Sequence, residues 1–149
     1  MTHLRKLRWR RTSTVTEQNL APRLGRAGDA GLDLTVAYPM ALIPGATRDI
    51  SAGIAVAFPD DVWGLIVGRS STLRKRGLLV NTGVIDTGYR GELFVNVHNM
   101  TDQDVWVSAG ERLGQLILLP NLASRVEVTE VLDLPPSERG AQGFGSTGL

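Results

Sequence analysis

Apolar and polar residues alternate with a period of two along much of this chain. Leu93, Val95 and Val97, for example, are separated by single residues, and the turn Thr87-Gly88 precedes them. Because successive side chains of a β-strand point to opposite faces, each such run predicts a strand with one buried face. Turn signals separate the runs at intervals of about eight to twelve residues, which is typical of a β-sandwich or barrel. The predicted strands lie at 32–36, 54–58, 63–67, 93–97, 105–107, 113–119 and 126–128.

The remaining local signals complete an all-β prediction. In the run at 63–67, the larger residues Trp63, Leu65 and Val67 are predicted to form the buried face. A single short helix is predicted at 71–77, with Ser71 or Thr72 as its N-cap and Gly77 as its stop.

The chain has 149 residues, a length at which one domain buries a core without disulfides or a structural metal. We predict a single β domain over residues 1–134. After Pro135-Pro136, the segment 135–149 is rich in glycine and has one large apolar residue before its last position. Such a segment cannot build a core, so we predict a flexible C-terminal tail.

Composition excludes several classes of function. The chain has no cysteine, which rules out thiolate zinc sites, cysteine nucleophiles and disulfide frameworks. Its apolar runs are too short for a membrane span, so we expect a soluble, cytoplasmic protein. Residues 1–16 carry five basic side chains and no acidic one. A solvated arm or strand is favoured there over nucleic-acid binding or a targeting segment.

Five separate segments combine glycine with polar groups. In the first, Ala27 to Leu34, Asp33 interrupts an apolar strand pattern, so its carboxylate either faces outward or is held near a cation. In the second, Gly68 to Gly77, Arg69, Ser70 and Ser71 stand where a strand gives way to the helix. Hydroxyl and backbone N–H groups at that point can bind an anion, although serine is also common there for capping alone.

Two further segments place polar groups in apolar surroundings. Asp86 precedes a tight turn beside Tyr89 in the segment Asn81 to Leu93. It is either a general base shielded by apolar neighbours or a residue that bonds locally within the turn. Gln115 interrupts an apolar strand in the segment Gly110 to Leu118, and a buried glutamine requires partners, either backbone groups or a ligand oxygen.

The fifth segment is the tail. Arg139, Phe144, Ser146 and Thr147 lie among glycines and offer a cation, a flat stacking surface and two hydroxyls. These groups suit closure over a nucleoside triphosphate. Composition alone also allows an ordinary disordered tail.

These five segments, in this order over residues 27–148, resemble the dUTPase family of trimeric all-β nucleotidohydrolases. The stretches GVIDTGYRGE and RGAQGFGSTG carry most of the resemblance. It implies a barrel or jelly-roll-like fold and the hydrolysis of dUTP to dUMP and pyrophosphate, which keeps uracil out of DNA and supplies dUMP for dTMP synthesis. It also implies Mg²⁺ as cofactor and a homotrimer with shared active sites, the tail of one subunit closing over another.

The resemblance also implies a role for each matching residue. Asp86 would activate the water that attacks the α-phosphate, Tyr89 would pack on the deoxyribose, and Asp33 would help hold Mg²⁺ through water. The hairpin near Asn81 would recognise uracil, and Phe144 would stack over it. The residues assigned to substrate binding are Arg69, Ser70, Ser71, Asn81, Gly83, Val84, Tyr89, Gln115, Arg139, Phe144, Gly145, Ser146 and Thr147.

Two alternatives remain open from the sequence. The related dCTP deaminases share parts of these motifs, but Asn96 stands where that family has its catalytic glutamate. Deamination without that carboxylate lacks its proton shuttle. The second alternative is a catalytically reduced regulatory or binding protein built on the same fold.

Overall fold

The computed structural model describes residues 5–141, and within them the chain is almost entirely β-structure. One α-helix, α1 (Ser70–Arg76), and one turn of 3-10 helix (Ala123–Arg125) are the described helical elements. The strands are β1 (Arg8–Arg11), β2 (Gly31–Thr35), β3 (Met40–Leu42), β4 (Thr47–Ala57), β5 (Val62–Gly68), β6 (Leu78–Val80), β7 (Gly83–Ile85), β8 (Glu92–Asn99), β9 (Val105–Val107) and β10 (Arg112–Pro120).

The strands form two four-stranded sheets and one strand pair. The first sheet has the order β1-β4-β8-β6, the second the order β2-β10-β5-β7, and β3 pairs with β9. Every pairing is antiparallel. Residues from both large sheets meet in one buried cluster, among them Ile54 and Leu93 from the first sheet and Leu34 and Ile66 from the second. The predicted all-β class with one short helix is therefore confirmed.

The period-two pattern correctly assigns the faces of β8. Leu93, Val95 and Val97 are buried, whereas Phe94 is exposed. Each inward residue packs on the shared cluster because the pleat turns every second side chain toward it.

The predicted buried face of β5 is wrong. Ile66 is 1% exposed and Gly64 is buried, whereas Trp63 is only partly buried. The reason lies at Gly64: a Cβ there would lie 2.6 Å from Phe58 Cζ and 2.7 Å from Leu116 Cδ1. These two large side chains fill the space that a residue at 64 would otherwise occupy, so glycine marks the inner face.

The helix begins one residue earlier than predicted. Its N-cap is Arg69, with no side-chain cap bond, instead of Ser71 or Thr72. Thr72 is buried and its hydroxyl donates to the Leu113 carbonyl at 2.7 Å, which ties the helix to β10. Gly77 ends the helix in the left-handed region, with φ of 63°, as the sequence predicted.

The strand predicted at 126–128 does not form within the described residues. Val126 and Val128 are 63% and 95% exposed and follow the 3-10 turn. An alternating segment becomes a strand only when another strand pairs with it, and no strand of residues 5–141 does so. Conversely, the basic segment near the N-terminus does form a strand, since β1 pairs with β4.

Across residues 5–141, no helix is both long and apolar enough to cross a membrane.

Candidate active site

A buried carboxylate between two guanidinium groups forms the most highly charged cluster of the predicted site. Asp33 is 5% exposed. Its Oδ1 lies 2.7 Å from Arg69 Nε, and its Oδ2 accepts from an Arg112 N–H at 2.8 Å. Arg69 also donates to the Arg112 carbonyl at 3.3 Å. Of the two alternatives for Asp33, the structure supports a carboxylate held among cations, and these cations are arginines.

Strand pairing brings this cluster together. In the second sheet, β10 lies between β2 and β5, so that Gln115 pairs with Asp33 on one side and Val67 on the other. Gln115 Nε2 donates to the Gly68 carbonyl at 3.0 Å, which holds the strand end directly before Arg69. A Cβ at Gly31 would lie 2.6 Å from Gln115 Oε1, so glycine leaves room for the amide.

The two serines predicted for anion binding lie at the same end of β5. Ser70 is exposed and Ser71 is partly buried. Ser70 lines a groove beside Arg69 and Val80, and Ser71 lines a second groove beside Arg112. The structure thus brings Asp33, Arg69, Ser70, Ser71 and Gln115 into one region.

Asp86 lies in a separate and well-anchored turn. The Tyr89 N–H donates to the Asp86 carbonyl at 3.0 Å, and the Tyr89 hydroxyl donates to the Glu92 carbonyl at 2.9 Å. The Thr87 hydroxyl donates to the Val62 carbonyl at 2.8 Å, which joins the turn to β5. The Asp86 carboxylate is exposed and forms no ion pair within residues 5–141. The turn is therefore anchored, and its carboxylate is accessible.

Asp86 and Arg69 lie at opposite ends of β5. Asp86 follows Ile85, which pairs with Gly64, whereas Arg69 follows Gly68, the last residue of the strand. At about 3.3 Å per residue, the backbone between Gly64 and Arg69 spans about 17 Å. Asp86 and the arginine cluster therefore lie toward different ends of β5.

The predicted base-binding hairpin joins the two sheets. Asn81 follows β6 of the first sheet and precedes β7 of the second. Its Nδ2 donates to Asn96 Oδ1 at 2.6 Å, and Asn96 Nδ2 in turn donates to Asp49 Oδ1 at 2.7 Å. Gly83 is partly buried and Val84 is 64% exposed. Val84 is thus accessible on this hairpin, while one donor of Asn81 is committed to the sheet.

The tail is described only in part. Arg139 is exposed and lies within a turn closed by the bond from the Gly140 N–H to the Ser137 carbonyl, at 3.1 Å. The other tail residues assigned to the substrate lie outside the described residues: Phe144, Gly145, Ser146 and Thr147.

Sequence reasoning missed Arg112 as a member of the cluster. It stands inside a segment that was singled out, but its contact with Asp33 arises from the shift in register between β10 and β2 at Arg112 and Gly114. The sequence signal was a cation in one candidate segment and an isolated carboxylate in another. Only the pairing of their strands connects the two.

Comparison with known proteins points to one family. The sequence profile of the dUTPase family matches residues 18–148. The deoxyuridine 5'-triphosphate nucleotidohydrolase of Cutibacterium acnes is 39% identical over 139 residues, covering 91% of this chain and 90% of its own. That of Leifsonia xyli subsp. xyli is 40% identical over 144 residues, covering 92% and 93%.

Solved structures that resemble this fold are also dUTPases. The dUTPase of Staphylococcus bacteriophage 80alpha, in complex with dUPNHPP, has a TM-score of 0.87 at 28% identity and covers 97% of this chain and 99% of its own. The dUTPase from Streptococcus mutans has a TM-score of 0.70 at 32% identity, with 75% of this chain and 94% of its own covered.

Proposed function

Since this chain belongs to the dUTPase family and is an enzyme of that family, we propose that it hydrolyses dUTP to dUMP and pyrophosphate. The observation that carries the proposal is the arginine cluster at the end of β5. One buried carboxylate faces two guanidiniums there, which leaves net positive charge beside Ser70 and Gln115. Such a cluster suits a polyanion such as a triphosphate.

Asp86 is the proposed general base. Its carboxylate takes a proton from a water molecule while the water oxygen attacks the α-phosphorus of dUTP. The bond from that phosphorus to the oxygen bridging to the β-phosphate breaks, and pyrophosphate leaves. The anchored turn supports this role because general-base catalysis depends on a fixed carboxylate within hydrogen-bond reach of the water. Tyr89, 41% exposed beside it, packs on the deoxyribose and leaves no room for a 2′-hydroxyl.

The remaining substrate contacts are proposed from the motifs together with the accessible hairpin. Backbone groups from Asn81 to Val84 recognise uracil, and Arg69, Ser70, Ser71 and Gln115 bind the phosphates. Phe144, Gly145, Ser146 and Thr147, together with Arg139, close over the nucleotide. Excluding water in this way strengthens each charged contact.

Divalent metal ions are general in this family, and we propose Mg²⁺ for this chain, carried on the triphosphate oxygens of the substrate. Within the described residues, no group of three or more histidine or acidic side chains is arranged to hold a metal. Asp33, the residue expected to assist, has both carboxylate oxygens on arginines. The side chains of residues 5–141 therefore do not fit a resident metal site, and the steps above use only protein groups and water.

We propose a homotrimer with shared active sites. Two observations support it. The first is that the backbone between Asp86 and Arg69 spans about 17 Å along β5 within one chain, whereas the proposed site needs both residues at one nucleotide. In addition, the alternating segment near Val126 and Val128 is exposed and lacks a partner strand in the described part of its own chain. A neighbouring subunit can supply both a partner strand and the missing half of the site. Cytoplasmic localisation stays a prediction from composition.

The decisive experiment is pyrophosphate release in the presence of Mg²⁺, with dUTP compared against dTTP, dCTP and UTP. We expect release from dUTP only, and strong loss on Asp86→Asn. Asp60→Asn, which removes an exposed carboxylate from a turn before β5, is the matched control and should leave the rate unchanged. No release from any nucleotide by the folded protein would refute the proposal. Conversion of dCTP to dUTP or dUMP would instead indicate a deaminase.

A regulatory role on the same fold remains the second candidate. The phage 80alpha dUTPase is described as controlling the transfer of virulence genes. The exposed and unneutralised Asp86 carboxylate favours catalysis here, since a protein that only binds nucleotide has no need of a base. Binding of dUpNHpp without any turnover of dUTP would favour the regulatory role.

A further inference from the structure

Asp33 is the only one of the described site residues whose carboxylate is buried between two cations. Its side chain is 7% exposed, whereas those of Arg69 and Arg112 are 28% and 39% exposed. A buried carboxylate is stable only when it is paired and hydrogen-bonded. Oδ2 of Asp33 accepts a hydrogen bond from Arg112, and Oδ1 is paired with the Arg69 guanidinium.

The two arginines retain many donors after these bonds are made. A guanidinium has five N–H groups. Arg69 donates one hydrogen bond, to the Arg112 carbonyl, and its Nε forms an ion pair with Asp33 Oδ1. Arg112 donates one hydrogen bond, to Asp33 Oδ2. Within residues 5–141 the other N–H groups of the two arginines donate no hydrogen bond, so they are available to an anion.

The geometry also opposes direct metal binding by Asp33. Any cation approaching its oxygens would meet two guanidinium charges within hydrogen-bond distance of the same carboxylate. Asp29 is a second carboxylate beside Gly25, but no group of three or more histidine or acidic side chains within the described residues is arranged to hold a metal. Asp33 is placed to hold arginines in position, and the arginines are placed to hold phosphates.

We propose that Asp33 is a positioning residue for the triphosphate, acting through Arg69 and Arg112 independently of any metal. The proposal rests on the proposed function, because it takes the ligand of this site to be a deoxyuridine triphosphate. The Asp33 carboxylate holds one edge of each guanidinium, so that the remaining N–H groups already face the phosphates. Less side-chain entropy is then lost when the nucleotide binds.

The experiment is isothermal titration of the full-length protein with dUpNHpp and with dUMP, in EDTA and again in Mg²⁺. We expect Asp33→Asn to weaken dUpNHpp binding about 10- to 100-fold in both buffers, since charge-assisted hydrogen bonds are lost. Affinity for dUMP, which lacks the β- and γ-phosphates, should change no more than about twofold by the same reasoning. The matched control is Asp102→Asn, which removes an exposed carboxylate from the loop between β8 and β9.

A second variant guards against misfolding of Asp33→Asn. Arg112→Gln alters the more exposed arginine and should also weaken dUpNHpp binding in EDTA. The double variant Asp33→Asn/Arg112→Gln should be less impaired than the product of the single effects, because the residues act through one contact.

Three results would overturn the proposal. A loss on Asp33→Asn that occurs in Mg²⁺ but vanishes in EDTA would assign Asp33 to the metal. Equal losses for dUMP and dUpNHpp would assign it a general role in stability. No loss of affinity in either buffer would remove it from phosphate binding. Failure of the wild-type protein to bind dUpNHpp would instead refute the proposed function, and the ligand of the cluster with it.

Discussion

Mixing two inactive variants tests whether the active site is divided between subunits. Asp86→Asn removes the proposed base, and Arg69→Gln removes a proposed phosphate contact. Within one chain the backbone between the two positions spans about 17 Å along β5. In the proposed trimer, each site combines the Asp86 of one subunit with the Arg69 of another.

This arrangement gives a quantitative expectation. When the two variants are co-expressed in equal amounts and assemble at random, a site is intact only if each of its two contributing subunits is the right variant. The probability is one half for each, so about one quarter of the sites should be active, although either variant alone is inactive. Wild type mixed with the double variant Asp86→Asn/Arg69→Gln should also give about one quarter.

The assay is pyrophosphate release by the whole co-expressed pool of oligomers, in which a different tag on each variant serves only to measure its share. Sites built within one chain predict no recovery for the two single variants and about one half for wild type with the double variant. That second pattern, in samples shown to contain both tags, would refute the divided site. Two differently tagged copies of Asp86→Asn provide the baseline.

Three further predictions concern the base, the tail and the core. Asp86→Asn should lower kcat about 10²- to 10⁴-fold, the usual contribution of a general base, while titration with dUpNHpp shows unchanged affinity; a lost affinity would indicate a binding role. Deletion of residues 139–149 should leave the oligomer intact by gel filtration but abolish most turnover, whereas loss of assembly would make the tail structural. Asn99→Ala should cost about 3–4 kcal/mol in urea unfolding, because the fully buried side chain makes four hydrogen bonds. A change below about 1 kcal/mol would mean that water replaces these bonds.

Much of the fold follows from the sequence, because successive side chains of a strand point to opposite faces and the apolar residues therefore alternate with a period of two. Leu93 to Val97 shows this, since its inward residues are the ones that the pattern names. The face of β5 could not be inferred, because it is decided by Phe58 and Leu116 filling the space over Gly64. The segment at Val126 failed for another reason: a strand pattern does not reveal whether its partner lies in the same chain.

The sequence predicted which segments contribute to the site, but not which of their residues are in contact. Asp86 and its turn could be found from the local sequence, since the bond that closes the turn joins Tyr89 to Asp86. The bond from Thr87 to Val62, 25 positions away, could not. The contact of Asp33 with Arg112 spans 79 positions and depends on the pairing of β2 with β10. The resemblance implies that Asp33 helps to hold Mg²⁺ through water, and the sequence gives no sign of the two arginines that lie beside it.

The distance between the two ends of β5 also has a consequence for how much activity a cell obtains from this gene. An active site divided between subunits exists only after assembly, so activity per chain must fall as the protein is diluted below the dissociation constant of the oligomer. Halving expression near that point would cost more than half of the activity. In the proposed trimer, a chain that lacks both Asp86 and Arg69 would disable two sites, so that an equal mixture with wild type would keep about one quarter of the activity.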